Sequence, residues 1–340
     1  MNRKVRIGFV GVGNMGQAAH LRHYVQLPDC EVVAIAEPRV SLAREVANRY
    51  GVNGIYHDAD EMLRRERLDG LVAIQPFERH GSIVQPLYKH GLPLLTEKPL
   101  ASSVETGEAM ISALRAGGSW HMVGYHKRND PAVVWARQQI GALGSMRYIR
   151  ITMPPGDWIA GGFDDLVRSD EQPPHIPADE MPSGLNKAEY LAFVNYYIHQ
   201  VNLLRYLLGE PYQVTFADKS SRLLVAETPS GVTGTIEMAP FETAIGWHES
   251  VLIGFDKAAI GINLLAPLAD HSGSAEILRS DGSVERADII RDPAMKMQAA
   301  NFIAAIRGEA KPACEAAEAL QDLRIARDWL QLKTSRDRAS

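Results

Sequence analysis

Residues 5–16 read Val-Arg-Ile-Gly-Phe-Val-Gly-Val-Gly-Asn-Met-Gly, a short apolar run followed by a glycine-rich turn. The apolar run predicts a β-strand over 4–10, and the residues after the turn predict a helix over 14–27. Its near-continuous apolar character predicts that both faces of the strand are buried, as in a parallel sheet. The stretch therefore predicts the first strand–turn–helix unit of a doubly wound α/β domain.

The glycine turn has G-x-G-x-x-G spacing and predicts dinucleotide binding. Gly11 allows the tight turn, Gly13 lets the backbone approach a pyrophosphate, and Gly16 lets the helix pack close to the strand. We expect the coenzyme to contact Gly11, Gly13, Asn14 and Met15. The alternative interpretation is a tight glycine turn in an unrelated α/β domain.

A carboxylate and a guanidinium follow one another at the end of the second predicted strand, 31–37. Glu37 lies 21 residues after Gly16, where a carboxylate can accept hydrogen bonds from the hydroxyls of the adenosine ribose. A 2′-phosphate at that position would be repelled, so the sequence favours NAD over NADP. Arg39 argues for the alternative, NADP, because an arginine just past this strand can contact a 2′-phosphate.

Strand and helix patterns alternate through the first 125 residues. The remaining predicted strands are 69–75, 93–97 and 120–124, and the remaining predicted helices are 41–50, 59–66, 80–90 and 103–117. This alternation predicts an NAD(P)-binding Rossmann domain over 1–125, with right-handed crossovers.

The pattern changes after about residue 128. A helix over 131–140 and a strand over 144–153 precede a stretch rich in proline, glycine and acidic residues, 155–186, which predicts an irregular insert. The later predictions are a helix over 187–208, antiparallel strands within 212–290, and two helices over 294–307 and 315–333. We therefore expect a substrate-binding and oligomerisation α+β domain over 126–340, with a large open, mostly antiparallel sheet.

Composition excludes several classes of protein. Among 340 residues, 36 Lys and Arg stand against 41 Asp and Glu, a net charge of −5. Such a chain lacks the basic field that nucleic acid or an anionic membrane surface requires. There is no signal-peptide pattern and no run of roughly 18 apolar residues. Cys30 and Cys314 make neither a disulfide framework nor a metal pair. We expect a cytoplasmic protein without nucleic-acid or membrane partners.

Glu97-Lys98-Pro99 ends the fourth predicted strand. Ligands of open parallel sheets lie beyond the carboxyl ends of the strands, so Lys98 is expected at the mouth of the coenzyme crevice. An ammonium there can bind a substrate hydroxyl and favour its alkoxide. The alternative is an ordinary surface lysine at a strand end.

Asn195, His199 and Asn202 follow one another at i, i+4 and i+7 on the predicted helix 187–208, which predicts a shared face. Histidine suits proton transfer near neutral pH, so His199 is the candidate acid/base and Asn195 its orienting partner. A half-buried structural histidine is the alternative. Glu189 and Glu210 do not complete a ligand set on this face, so no metal site is expected.

Asn195 and His126 are candidate substrate contacts, and so are two aromatic side chains. Trp158 follows Asp157 in the predicted insert, and Tyr196 lies on the long predicted helix. Both ring types can stack on a sugar or bind its hydroxyls, although aromatic residues serve more often as core.

These motifs together resemble the Gfo/Idh/MocA oxidoreductases, the glucose–fructose oxidoreductase and inositol dehydrogenase group, over nearly the whole chain. The resemblance also includes Gln75-Pro76 with His80, and the run 123–128 that contains His126. It implies an N-terminal NAD(P) domain and a C-terminal sheet for substrate and oligomer contacts.

Residue roles follow from the resemblance position by position. Lys98 matches the catalytic lysine of the family, and His199 matches its proton acceptor. The resemblance further implies that the nicotinamide half of the coenzyme is lined by Gln75, Pro76, His80, Glu97, Lys98 and His126. The family usually has aspartate where this chain has Asn195 and Asn202, so His199 is expected to lack an acidic partner.

The sequence thus predicts an NAD-dependent dehydrogenase that transfers a hydride between a sugar or cyclitol carbinol and nicotinamide, and that forms a homodimer or homotetramer. One alternative is an NAD-retaining glycosidase or lyase that oxidises its sugar only transiently. Another is a non-catalytic, nucleotide-sensing regulator.

Overall fold

The computed structural model describes residues 3–153, 156–238 and 246–338, with side chains up to residue 335. These residues form two compact units. The first contains the chain up to Tyr125 together with Gly162–Ser183 and Gln298–Leu320, and the second contains the remainder. The break after Tyr125 coincides with the predicted boundary. The two later segments correct the prediction, which assigned them to the second domain. Residue 155 of the predicted insert and residues 239–245 of the predicted sheet region lie outside the described residues.

The first unit is built on a parallel sheet. Its strands are β1 (Val5–Val10), β2 (Cys30–Ala36), β3 (Gly54–Tyr56), β4 (Gly70–Ala73), β5 (Leu94–Glu97) and β6 (His121–Gly124). They lie in the order β3-β2-β1-β4-β5-β6, all parallel, which is the Rossmann arrangement. The five predicted strands are confirmed. The three-residue β3 was not predicted, because it is too short for a periodic pattern.

Helices connect these strands. They are a π-helical turn (Gly16–Leu21) that continues into α1 (Arg22–Tyr24), α2 (Val40–Tyr50), α3 (Ala59–Arg65), the short turns Phe77–Arg79, His80–Val84 and Gln85–His90, and α4 (Val104–Gly117). Asp58 and Ser103 cap α3 and α4 by accepting a main-chain hydrogen bond. The predicted helix 80–90 is a π-helical turn followed by a 3₁₀-helix; Pro86, near the start of the latter, has no amide to donate.

The core of the first unit combines residues distant in sequence. Phe9 of β1 lies edge-on to Tyr24, and Tyr24 lies edge-on to Phe302. All three side chains are fully buried. A late segment of the chain thus completes the hydrophobic core beneath the first strand.

The second unit is built on an eight-stranded sheet. Its strands are β7 (Met146–Thr152), β8 (Gln213–Ala217), β9 (Leu223–Glu227), β10 (Thr233–Glu237), β11 (Glu249–Phe255), β12 (Ala258–Leu264), β13 (Ser274–Arg279) and β14 (Val284–Arg286). The order is β14-β13-β12-β11-β7-β10-β9-β8, and only the β7–β10 pair is parallel. The predicted open, mostly antiparallel sheet is confirmed.

Several helices accompany this sheet. They are the 3₁₀-helices His126–Asn129 and Ile140–Ala142, and α5 (Pro131–Gln139), α6 (Lys187–Ala192), α7 (Ile198–Leu208) and most of α9 (Ala316–Arg338). Most of α8 (Ala294–Ile306) belongs instead to the first unit. A π-helical turn, Phe193–Tyr197, joins α6 to α7. The predicted helix over 187–208 is therefore confirmed in extent, with an irregular centre. Among the described residues, no helix combines the length and apolar character needed to cross a lipid bilayer.

Candidate active site

The glycine turn of the first unit forms a tight cradle. Gly11 has φ +89°, and a Cβ there would lie 2.5 Å from Gln75 Nε2 and 2.6 Å from the carbonyl oxygen of Ile74. Gln75 Nε2 also donates to the carbonyl of Val10 at 3.0 Å, so its side chain lies directly behind the turn. Only glycine fits at position 11.

Gly13 and Asn14, in the middle of the motif, are more open than Gly11. A Cβ on Gly13 would find its nearest neighbour, Arg39, at 3.5 Å, and Asn14 is exposed. A Cβ on Gly16, by contrast, would lie 2.8 Å from the carbonyl oxygen of Gly11. Close helix packing at Gly16 and open backbone at Gly13 are the two features that a pyrophosphate needs, so the residues present fit a dinucleotide.

Glu37 follows β2 and is only 3% exposed. Its carboxylate accepts hydrogen bonds from the amide of Val12 at 3.1 Å and from the amide of Arg39 at 3.2 Å. The guanidinium of Arg39 donates to both oxygens, at 2.7 Å from Nε and 3.0 Å from Nη2. Arg39 is therefore paired with the carboxylate, and its own charge is largely compensated.

The end of β5 presents Lys98. Glu97, the last residue of the strand, is buried, and its Oε1 lies 2.7 Å from Nε2 of His20 on the π-helical turn. Burial raises the pKa of Glu97, but the hydrogen bond and charge of His20, with the charge of Lys98, outweigh burial and leave that pKa below its ordinary value. Lys98 is half-buried and is joined to Pro99 by a cis peptide bond.

His80 ties two loops together. Its ring is fully buried, with Nδ1 3.0 Å from the carbonyl of Leu100 and Nε2 3.2 Å from the carbonyl of Gln75. Burial lowers the pKa of His80. The ring thus positions the loops after β4 and β5. Gln75 is half-buried and Pro76 is exposed at the same strand end. Direct coenzyme contact by these residues stays a prediction.

In the second unit, His126 and His199 lie together. The two ring centroids are 4.8 Å apart, and the ring planes meet at 70°. His126 is buried, while His199, the second residue of α7, is half-buried. The edge-to-face contact restricts the orientation of the His199 ring.

His126 opens a buried polar run, 126–130, that anchors the start of the second unit. Lys127 Nζ donates to Glu249 at 2.5 Å, and Gln200 Nε2 donates to the other oxygen of that carboxylate at 2.8 Å. The ammonium also lies 5.4 Å from the ring centre of Trp247. Since Gln200 follows His199 on α7, this network fixes the helix that carries the candidate acid/base.

Arg128 and Asn202 link α7 to α9. Arg128 Nε donates to Asn202 Oδ1 at 2.6 Å, and Asn202 Nδ2 donates to Asp322 at 2.6 Å. Arg205 Nη2 donates to Asp322 at 2.8 Å. Asn202 is therefore a buried bridge between a guanidinium and a carboxylate.

The predicted shared face of Asn195, His199 and Asn202 is altered by the π-helical turn. That turn rotates the residues before it relative to those after it. Asn195 is exposed, His199 is half-buried and Asn202 is 1% exposed. Tyr196 is 55% exposed, and Trp158 is half-buried with its carbonyl accepting from Leu268. Substrate contact by Asn195, Tyr196 and Trp158 stays a prediction.

Several supporting residues escaped sequence reasoning. Glu97 is held by His20, the Lys127 ammonium by Glu249, and Asn202 by Asp322. The position of His20, four residues after Gly16, could have suggested a role near the turn. The partners Glu249 and Asp322 carry no sequence signal, because Glu249 is 122 residues from Lys127 and Asp322 is 120 residues from Asn202. Within the described ranges, no cluster of three or more His, Cys, Asp or Glu side chains could hold a metal ion.

Comparisons with known proteins agree with the Rossmann geometry. Residues 5–125 match the Gfo/Idh/MocA family model, described as an oxidoreductase family with an NAD-binding Rossmann fold. The chain is 24% identical over 278 residues to the scyllo-inositol 2-dehydrogenase (NAD(+)) of Bacillus subtilis, covering 75% of each chain. It is 23% identical over 292 residues to the myo-inositol 2-dehydrogenase of Thermotoga maritima, covering 85% of this chain and 76% of the relative.

A solved structure shows the same fold. It is an oxidoreductase from Agrobacterium radiobacter in complex with NAD⁺, L-tartaric acid and magnesium, 13% identical, with a TM-score of 0.74. The match covers 97% of this chain and 96% of that chain. The fold and the glycine cradle thus define a Rossmann domain whose turn fits a dinucleotide, followed by a second domain built on an open sheet. Over residues 5–125 the chain is thus similar to the Gfo/Idh/MocA family, and over most of its length it is similar to the two inositol dehydrogenases.

Proposed function

We propose that this protein is an NAD-dependent dehydrogenase that oxidises a secondary alcohol on a cyclitol or sugar ring. The observation that carries the proposal is the glycine cradle at Gly11–Gly16, which lies at the same sheet edge as the end of β5 with Lys98. The relatives named above, two inositol dehydrogenases, support the substrate class.

Lys98 and His199 divide the work on the alcohol. The Lys98 ammonium donates a hydrogen bond to the substrate oxygen and stabilises negative charge that develops there. An imidazole nitrogen of His199 accepts the hydroxyl proton as the carbon–hydrogen bond breaks. A nicotinamide ring, when bound, supplies the hydride acceptor. His126 holds the orientation of the His199 ring through the edge-to-face contact.

The Glu97–His20 pair supports Lys98. A buried, ionised carboxylate beside the lysine favours the charged ammonium, which is the form that can donate to an alkoxide. Glu97 is thereby a positioning residue in the proposal, and Lys98 is the group that contacts substrate.

Substrate screening tests the proposal. The full-length protein is incubated with NAD⁺ or NADP⁺ and a panel of cyclitols and sugars, each paired with an analogue that lacks one ring hydroxyl, and NAD(P)H absorbance is followed. We expect oxidation of at least one cyclitol or sugar with NAD⁺, and loss of the signal with the analogue that lacks the reacting hydroxyl. No turnover of any panel member in either direction would contradict the proposal. So would glycoside cleavage without added coenzyme in the absence of net NAD⁺ reduction.

A further inference from the structure

Residues 162–183, here called the strap, cross the first unit without forming a helix or strand over most of their length. Asp165 of the strap pairs with Arg49 near the end of α2. The other hydrogen bonds of the strap to this unit reach the helix after the glycine turn, the start of α2, and the loops after β4 and β5. These are places where the carboxyl edge of the parallel sheet meets its connections, which is the edge at which Rossmann domains bind dinucleotides.

The first contact is a pair of hydrogen bonds between the side chain of Gln17 and the main chain of Val167. This side chain is fully buried one residue after the last glycine of the motif. Its Oε1 accepts from the amide of Val167 at 3.0 Å, and its Nε2 donates to the carbonyls of Val167 at 3.1 Å and Val12 at 2.9 Å. The strap is thus fixed to the turn itself.

The second contact lies at the start of α2. Ser41, the second residue of that helix, shares a 2.8 Å hydrogen bond with the hydroxyl of Ser169. The amide of Ser41 donates to the carboxylate of Glu171 at 3.1 and 3.3 Å. Glu171 therefore occupies the amides that a helix N-terminus offers to an anion.

The third contact fixes the far end of the strap. Asp179 accepts from the amide of Gly81 at 2.6 Å and from the hydroxyl of Ser82 at 2.5 Å, and its own amide donates to the carbonyl of Glu78 at 2.5 Å. Ser102 donates to the carbonyl of Glu180 at 3.0 Å. Glu171 thus lies between two fixed points of the strap.

Charge at the start of α2 is dominated by carboxylates. The Arg39 guanidinium already bonds both oxygens of Glu37. Glu171 adds a second carboxylate at the amide of Ser41, four residues after Glu37 in the chain. The hydrogen bonds from Ser41, with the nearby charge of Arg39, lower the pKa of Glu171, so it is ionised at neutral pH. This is the end of β2, where the adenosine ribose of a dinucleotide lies.

We propose that Glu171 selects the coenzyme, because its carboxylate fills the anion position at the start of α2. A dinucleotide with a free ribose 2′-hydroxyl then binds with the strap in place. A 2′-phosphate binds there only when the strap is displaced. The inference rests on NAD(P) binding by the Rossmann domain and not on the proposed substrate. A phosphate placed there meets two carboxylates, and the one guanidinium is already paired.

Calorimetric titration tests the inference without turnover. NAD⁺, NADP⁺, 5′-ADP and 2′,5′-ADP are titrated into the full-length wild type and the variants Glu171→Gln and Glu171→Ala. We expect both variants to bind NADP⁺ and 2′,5′-ADP about tenfold more tightly than the wild type, because one opposing charge is gone and the Ser41 amide is released. The affinity for NAD⁺ and 5′-ADP stays within about threefold.

Asp170→Asn is the matched control. It removes the same charge from the adjacent, exposed residue, whose carboxylate does not contact Ser41. We expect less than a twofold change for every ligand. If Asp170→Asn raised the affinity for NADP⁺ as much as Glu171→Gln does, the gain would come from the change in net charge alone, and the inference would be overturned. Equal binding of NAD⁺ and NADP⁺ by the wild type, unchanged ratios in both Glu171 variants, or binding of neither coenzyme would also overturn it.

Amide hydrogen exchange gives a second readout. In the wild type, saturating NAD⁺ leaves the amides of Ser41 and Val167 protected, since their partners Glu171 and Gln17 stay in place. Saturating NADP⁺ accelerates exchange at both amides because the strap is displaced. Equal protection at both amides with the two coenzymes would contradict the displacement. Failure of the substrate screen would leave both measurements unaffected.

Discussion

At the scale of single residues, Gly11 and Gly13 lie two positions apart in one turn but have different neighbours. Gly11 has φ +89° and has no room for a Cβ, whereas Gly13 faces open space apart from Arg39 at 3.5 Å. The first glycine therefore serves the fold, and the second serves the ligand.

This difference predicts opposite results for two alanine variants. Gly11→Ala lowers the free energy of unfolding by about 3 kcal/mol, through backbone strain and the contacts at Gln75 and Ile74. Gly13→Ala changes stability by less than about 1 kcal/mol but weakens NAD⁺ binding by at least about tenfold, because the added methyl group lies where the pyrophosphate approaches. Urea denaturation and calorimetric titration measure the two effects. Equal stability of both variants would refute the assignment.

His121 is a second residue with a definite protonation state. The Thr96 hydroxyl donates to the carbonyl of Glu97 and so accepts from His121 Nε2, which leaves Nδ1 to accept from the Tyr88 hydroxyl. Burial, aided by the charge of His80, lowers the pKa of His121 to about 3. The ring is neutral in the folded protein at neutral pH.

The low pKa predicts a pH dependence of stability. The unfolded chain takes up a proton at this histidine below about pH 6.5, and the folded chain does not until the pH approaches 3. Stability from this group is complete above pH 6.5 and falls by about 1.4 kcal/mol per pH unit as the pH drops towards 3. His121→Gln should remove about one proton from the slope of unfolding free energy between pH 6 and 4. Identical slopes in the variant and the wild type would count against the neutral, buried ring.

At the scale of elements, the polar contacts between α7 and α9 centre on the carboxylate of Asp322. Asp322 is fully buried, and its carboxylate accepts hydrogen bonds from Arg205 and Asn202. Asn202 in turn accepts a hydrogen bond from Arg128. Burial raises the pKa of Asp322, although the two guanidiniums and Asn202 lower it in part. Asn202 carries no charge of its own, but the Asp322 carboxylate from α9 accepts a hydrogen bond from it.

Asp322→Asn should destabilise the protein by about 3 kcal/mol, because it removes the buried negative charge to which Arg205 and Asn202 donate. The control is Asp328→Asn on the same helix, where the carboxylate is half-exposed and pairs only with its neighbour Arg327. We expect a change below about 0.5 kcal/mol there. Urea denaturation of the two variants gives the comparison, and similar losses in both would show that the buried carboxylate is dispensable.

Regular elements were predictable from the chain because their signals are local. Apolar runs gave five of the strands of the parallel sheet, and the glycine spacing gave the cradle. The helix over 187–208 was predicted from its periodicity, but the π-helical turn Phe193–Tyr197 leaves no mark in that pattern. Asn195, which lies within that turn, is exposed, whereas Asn202 is buried.

At the scale of the whole molecule, the chain returns to its first unit twice. The strap and the segment Gln298–Leu320 both pack with the Rossmann sheet. Sequence reasoning assigned both to the second domain, because a proline-rich stretch without periodicity gives no sign of what it contacts. The partners of Gln17, Ser41 and Gly81 in the strap lie 98 or more residues away along the chain, so only folding brings them together.

A homodimer or homotetramer stays a prediction, and it rests on the open sheet of the second unit. Along β11, buried residues alternate with half-exposed ones, which include Leu252. A broad, partly apolar face of this kind favours self-association. Sedimentation velocity at micromolar concentration should give a dimer or tetramer, and a single monomeric species would contradict the expectation.

The central claim is that Lys98 and His199 act on the substrate, and the variants Lys98→Met and His199→Asn test it. For each variant, kcat is measured with the cyclitol or sugar found by screening and is compared with the dissociation constant for NAD⁺. Lys89→Met and His57→Asn, both exposed, are the matched controls. We expect kcat to fall by about 10²–10⁴-fold in the two site variants, while the dissociation constant for NAD⁺ stays within about threefold of the wild-type value. The two control variants should match the wild type in both quantities. A kcat near the wild-type value in either site variant would contradict the central claim.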